Sequence, residues 1–403
     1  QEETGLSPSA VERLLAGRAQ VEVQYNCADL ISWAQAGDSV GESGVDNDIM
    51  HRTMGLAEDF PEEIAYQYLV LYMLDGYPVV PGSSQSSEIL ACVDRYDTLY
   101  REELMAEDSE DERLAHMKKL TGIYLKLGDT AKGAAYAQRA AEETGDPFLT
   151  EQAMYGYFML AQGEECLELA EAALKEDPDS FIALSYAGRA AMLLDDYPAV
   201  ADYGVRLSDI AKESDDPYAD YMLYQFVSYL TVEDSWYAMS DRFPGAACYH
   251  ELPEEQLKQI QENEYLNAYI QAFAASTDNT VVDLGYYRWE DPEGERALEL
   301  ADALISMKEE AGFPHYIRGM VLNGVDRYEE AIREYTAALA QQPDEHYIWY
   351  ALGACYEELG DLQNAQQAFQ ISLDIMPKIG SSHTGDWTGV SVHAGFALER
   401  VRG

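Results

Sequence analysis

Trp349 to Pro377 reads WYALGACYEELGDLQNAQQAFQISLDIMP, and its small and large residues fall where two helices packed face to face need them. The landmarks are Trp349, Leu352, Gly353, Tyr356, Gly360, Ala365, Phe369, Ser372 and Pro377. Sliding back 34 residues meets His315, Arg318, Gly319, Leu322, Asp326, Ala331, Tyr335, Ala338 and Pro343, small against small and large against large. Glycine and alanine at two of these slots let antiparallel helices approach, the aromatic fills the gap between neighbours, and proline ends the second helix. The same offsets met twice in register predict a tandem array of helical hairpins.

Those residues resemble the tetratricopeptide repeat, most closely over 312–377. Weaker copies precede them. FIALSYAGRAAMLLDDYPAV from Phe181 places Gly188 in the small slot, and MYGYFMLAQGEECLELAEAALKEDP supplies Gly156, Gly163, Ala170, Ala173 and Pro178 with its second helix two residues short. LTGIYLKLGDTAKGAAYAQRAAEETGDP adds Leu120, Tyr124, Gly128, Ala137 and Ala140. The expected architecture is all-α, a right-handed superhelical solenoid interrupted by an irregular insertion. Its parts are an N-terminal helical region over 1–112, degenerate repeats or a cap; a first repeat block over 113–214; a divergent insertion over 215–296; a second block over 297–379; and a loop with a capping helix over 380–403. The N-terminal part predicts helices over 8–18, 60–75 and 85–106. Within the insertion, DPYADYMLYQFVSYL and PEEQLKQIQENEYLNAYIQAFAA read as helices opened by proline, whereas TVVDLGYYRW is β-branched and aromatic.

Charge narrows the partners. Against 74 Asp and Glu stand 26 Lys and Arg, a formal net charge of -48, while 47% hydrophobic residues and 30 tyrosines provide the apolar surface of a folded chain. Such a surface repels phosphate backbones and anionic membrane faces within a Debye length of about 8 Å, so nucleic acid is not an expected partner and a basic or polar protein is. No stretch reaches about 18 apolar residues, so no membrane span is expected. The start at Gln1, with QEETGLSPSA, reads as a chain trimmed at its beginning, by export processing or by design, and an exported or cell-surface bacterial protein is expected over a cytoplasmic one.

Motifs for chemistry are missing. Cys27, Cys92, Cys166, Cys248 and Cys355 stand far apart with no C-x-x-C pair, and the seven histidines form no H-E-x-x-H. Asp46, Asn47 and Asp48 begin like a calcium loop, but Met50, His51 and Ala57 stand where a ligand, a glycine and a closing glutamate are required. No nucleophile elbow, phosphate loop or dinucleotide fingerprint occurs. Neither a cofactor nor a metal site is implied, and an enzyme is not expected.

The resemblance implies that first helices line a concave groove, with their second, fifth, ninth, twelfth and thirteenth positions pointing into it. In the second block these are Phe313, Tyr316, Met320 and Asn323, then Tyr347, Tyr350, Ala354, Glu357 and Glu358. The expected function is a non-catalytic scaffold that binds a protein or peptide through Phe313, Tyr316, Met320, Tyr347, Tyr350, Glu357 and Glu358. The other role open to these aromatics is packing against the terminal helix or the 380–393 segment. The alternative function is an extracytoplasmic small-molecule or glycan-binding protein whose pocket is built from Tyr286, Tyr287 and Trp289, since sugar rings stack on such side chains. Within the related subgroup that clamps C-terminal carboxylates, Lys, Arg and Asn recur at the groove positions; here only Lys118, Lys126 and Arg189 match, all in the first block, and the asparagines are absent.

Residues 215–295 carry 17 acids and only 3 bases, Arg242, Lys258 and Arg288, so self-repulsion is strongest there. The melting temperature is therefore expected to rise between low and physiological salt, in thermal scans followed by circular dichroism. An unchanged value would show that the charge costs the fold nothing.

Overall fold

The turns inside the hairpins set the register of everything else. At Gly128, Ala161, Asp195, Asp326 and Gly360 the backbone turns left-handed, with φ of 86, 56, 54, 60 and 74°. The next amide in each case reaches back five residues: Asp129 N–H to Tyr124 O (3.0 Å), Gln162 to Tyr157 (2.9 Å), Asp196 to Ala191 (3.0 Å), Arg327 to Leu322 (2.9 Å) and Asp361 to Tyr356 (2.9 Å). This bond satisfies a carbonyl left open at the end of a helix, and glycine suits it because it has no Cβ. One turn thus recurs at all five repeats read from the sequence, including the three where a residue other than glycine accepts the left-handed conformation.

The computed structural model describes residues 47–74, 83–231, 249, 252–280, 294–375, 397–398 and 400–402. Its elements are α-helices, without a strand among the described residues: α1 (Asn47–Asp59), α2 (Ile64–Met73), α3 (Ser84–Glu103), α4 (Glu110–Lys126), α5 (Thr130–Thr144), α6 (Pro147–Met159), α7 (Gly163–Glu176), α8 (Phe181–Leu193) and α9 (Tyr197–Glu213). There follow α10 (Pro217–Thr231), α11 (Glu254–Glu262), α12 (Glu264–Thr280), α13 (Glu295–Met307), α14 (Gly312–Gly324), α15 (Tyr328–Gln341), α16 (His346–Glu358) and α17 (Leu362–Ile375). The expected helix over 8–18 and the TVVDLGYYRW stretch beyond Thr280 lie outside the described residues. Two compact units divide after Gly156, inside the block that the repeat pattern joins as 113–214.

The first unit is built around buried tyrosines whose hydroxyls are anchored on carboxylates. Tyr100 donates to Asp108 (2.6 Å), Tyr124 to Asp94 (2.9 Å) and Tyr136 to Asp97 (2.9 Å), so each ring is buried without leaving its polar end unsatisfied. Helix α4 opens with a capping box, Ser109 and Glu112 each bonding the other's backbone N–H. Helices α1, α2 and α3 pack on one another, and α3 passes the core on to α4.

In the second unit each first helix meets its own second helix and the hairpin beyond. The pairs are α8 with α9, α14 with α15 and α16 with α17. The segment expected as an irregular insertion supplies α10 and α12, and these continue the packing: α10 lies against α8 and α14, while α12 lies against α10 and α14. One side-chain contact recurs throughout. A Cβ added to Gly319 would come 2.5 Å from the Tyr335 ring, and one added to Gly353 would come 2.7 Å from Phe369. In the α8–α9 hairpin both slots are glycine, Gly188 and Gly204, and Phe226 of α10 fills the space, 2.6 Å from either added Cβ. The ring that the repeat lacks is delivered by the following helix.

Gly319→Ala is expected to lower the stability of the second unit by about 1–2 kcal/mol, because overpacking against a buried ring outweighs the gain in helix propensity. Gly55 of α1 has nothing within 4 Å of an added Cβ, so Gly55→Ala is expected to be neutral or stabilising by up to about 1 kcal/mol. Urea titrations that find the two substitutions equivalent would show that the glycine–ring contact is not tight.

Candidate binding site

Asp220 places the aromatic face. It lies in the first turn of α10, 1% exposed, and its carboxylate accepts the Phe313 N–H of α14 (2.9 Å) and the Tyr269 hydroxyl of α12 (3.2 Å). Gln342, just past α15, donates to Pro217 O (2.7 Å), so three elements fix the start of α10. Of the tyrosines at 218, 221 and 224, the last two meet rings of α14 and α16. Tyr218 stacks on Tyr221 (5.3 Å between centroids), Tyr221 meets Phe313 at 5.7 Å, and Tyr224 stacks on Phe313 at 4.5 Å. Phe313 is fully buried and forms the base, while Tyr224, Tyr316 and Tyr347 above it are half-buried.

These three tyrosines come from α10, α14 and α16. Tyr224 and Tyr347 lie nearly parallel, 6.4 Å apart at 16°, and Tyr316 stands across both, 5.9 Å from the first at 78° and 5.4 Å from the second at 69°. Beside them Glu345, at the N-terminus of α16, is 4% exposed and makes no capping bond with its own helix. Burial pushes its carboxyl up to about 8, offset in part by the Tyr347 hydroxyl and reinforced by Asp344. Burial likewise raises Asp220 to about 6, against the lowering effect of the Phe313 N–H.

The structure brings Phe313, Tyr316 and Tyr347 together and sets the rest apart. Met320 is half-buried on α14 and Glu358 is exposed. Tyr350 lies against Phe369 (5.6 Å) at the margin of a cluster that includes Ala397 and Leu398 of the terminal helical residues. Glu357 receives two bonds from Arg400, at 2.5 and 2.7 Å. Ala397, Leu398 and Arg400 thus meet the outer end of the expected groove at Tyr350 and Glu357. The bases of the first block are also engaged. Lys118 pairs with Asp146 (2.8 Å), Lys126 donates to Leu74 O (3.4 Å), and Arg189 is buried with its guanidinium 4.0 Å from the Tyr186 ring. His315 bonds Glu334 (2.8 Å), which also receives Arg318 (2.9 Å). Tyr286, Tyr287 and Trp289 lie outside the described residues. Cys92, Cys166 and Cys355 are buried free thiols, and no group of three or more potential metal ligands occurs among the described residues. None of the described helices is long and apolar enough to cross a membrane.

Sequence reasoning missed Tyr221, Tyr224 and Glu345. The first two carried a signal, an i, i+3 stripe of tyrosines in DPYADYMLYQF. Glu345 carried none, because nothing in its neighbours marks an acid at a helix start as buried.

Asp220 and Glu345 also give stability a pH dependence of known sign. Both are raised above the usual carboxylate values near 4, so the folded state binds more protons than the unfolded chain, and stability falls as pH rises. The window is about 4 to 6 for Asp220 and about 4 to 8 for Glu345. Melting temperatures are expected to drop from pH 5.5 to 8.5, and Glu345→Gln is expected to flatten the part between pH 6 and 8. A variant as steep as the parent would place the titration elsewhere.

A family model described as tetratricopeptide repeat matches residues 318–378, the part that holds α15, α16 and α17. No curated protein sequence matches the chain. Among solved structures, a tetratricopeptide repeat protein from Parabacteroides merdae is 10% identical over 88% of this chain and 99% of its own, with a TM-score of 0.35. YrrB, described as having an unusual peptide-binding site, is 15% identical over 64% of this chain and 97% of its own, with a TM-score of 0.23. The human IFIT1 dimer with PPP-AAAA is 16% identical over 84% of this chain and 74% of its own, with a TM-score of 0.30. Residues 318–378 thus match the tetratricopeptide-repeat model, and the turn that closes the hairpins there recurs at five places along the chain.

Proposed function

We propose that this chain is a non-catalytic scaffold that binds a protein or peptide along its C-terminal first helices, and that the partner is basic or polar. The observation that carries the reading is the group of half-buried rings, Tyr224, Tyr316 and Tyr347, contributed by α10, α14 and α16 of a chain with a net charge of -48. Tyrosine offers a large apolar area, a polar tip and few rotamers to freeze, and so recurs where binding energy concentrates. The acidic surroundings repel phosphate backbones and speed the approach of cationic partners. Tyr350 and Glu357 belong to this surface only when the terminal helical residues are displaced, so the inner rings are the core of the proposed site.

The test takes a partner recovered from the native host and compares its affinity for Tyr316→Ala, Tyr347→Ala and an exposed control on α17, Gln367→Ala. Each tyrosine variant is expected to lose about 2 kcal/mol, or roughly 30-fold, with the control unchanged. Folded tyrosine variants that bind like the control would remove this surface as the site.

A further inference from the structure

Tyr224, Tyr316 and Tyr347 are arranged as well as adjacent. Two nearly parallel rings face each other and the third stands across them, an arrangement whose ring faces, negative in quadrupole, can surround a positive charge. A carboxyl stands at the same place. Glu345 precedes Tyr347 by two residues, and its charge acts on both Tyr316 and Tyr347. Among the described residues, no Lys or Arg acts on it. The buried Tyr347 hydroxyl lies beside this carboxyl and acts on it. A buried acid with no cation, next to a tyrosine hydroxyl and three rings, leaves a positive group wanting.

We infer that Tyr224, Tyr316, Tyr347 and Glu345 form a subsite for one cationic side chain, the ammonium of a lysine or the guanidinium of an arginine, on the bound peptide. This rests on the groove reading above and adds the anchor to it. The site also fixes how binding responds to protons. Near neutral pH, Glu345 is largely the neutral acid, since burial raises it to about 8. When the cation enters, the carboxyl gives its proton to solvent and the carboxylate pairs with the ammonium, one proton leaving for each cation held. Affinity therefore rises about tenfold per pH unit below 8 and levels off above it. The other groups facing Glu345 are Asp344 and His346 beside it, the latter's ring 5.5 Å from Tyr347, with Tyr316 from α14 and Tyr224 from α10. Diffuse attraction to surface carboxylates titrates near pH 4 instead, so the two kinds of binding are separable.

The probe is acetyl-tetralysine-amide, with the Nε-acetylated tetrapeptide as its neutral counterpart. It is titrated calorimetrically into the full chain at physiological salt, in buffers of different ionisation heat. Expected at pH 7 are release of nearly one proton, about tenfold tighter binding at pH 7.5 than at 6.5, and no binding of the neutral peptide. Glu345→Gln should abolish the proton release and weaken binding at pH 8 about tenfold. Absence of binding, binding without proton release, or release that survives Glu345→Gln would each overturn the subsite. The proton count of the unaltered chain decides the matter even where the variant folds poorly. If a native partner is lost on Tyr347→Ala yet is indifferent to Glu345→Gln and to pH, the groove reading stands and the cation subsite falls; if neither substitution matters, both fall.

Discussion

A glycine pressed against an aromatic ring is the contact on which the second unit depends. Gly319 against Tyr335 and Gly353 against Phe369 bring paired helices close enough for the turn at Asp326 or Gly360 to close with its backbone bond. Where α8 and α9 carry glycine in both slots, Phe226 enters from α10 and ties the hairpin to its neighbour. This substitution of a non-local ring for a local one ties α10 to the α8–α9 hairpin although its sequence departs from the repeat pattern. Hairpins stacked this way bury a core only through their neighbours, and so the first helices present one continuous row of side chains.

Charge enters this packing in two ways. Most of the 74 acids lie where water and salt screen them, but Asp220 and Glu345 are nearly excluded from solvent. Asp220 has its partners, the Phe313 N–H and the Tyr269 hydroxyl, and works as a pin between helices. Glu345 has only the nearby tyrosine hydroxyl, and is held toward its neutral form. Two carboxyls buried within one aromatic region thus differ in role because one meets a backbone donor and the other does not.

The end of the chain meets the same face. Ala397 and Leu398 lie in a cluster with Phe369 and Ala365, and Arg400 holds Glu357 with two bonds. An exposed ion pair of this kind is worth little in isolation, so the apolar contact supplies most of the attachment. Ala397 and Leu398 thereby cover apolar surface of α16 and α17.

The spacing of glycine, alanine and aromatic residues from Gly319 to Phe369 determined by itself that these segments are paired helices, since the contact between them is local and repeats with the chain. Composition likewise determined the sign of the surface. The cluster of Phe313, Tyr316 and Tyr347 was legible because helical position alone sets which residues share a face. What the tertiary structure decided is everything that depends on elements distant in sequence. Phe226 fills a space bounded by Gly188 and Gly204, Tyr224 reaches Tyr347 across 122 intervening positions, and Glu345 is nearly excluded from water. Burial of a polar group is a property of the assembled neighbours, and no periodicity along the chain encodes it.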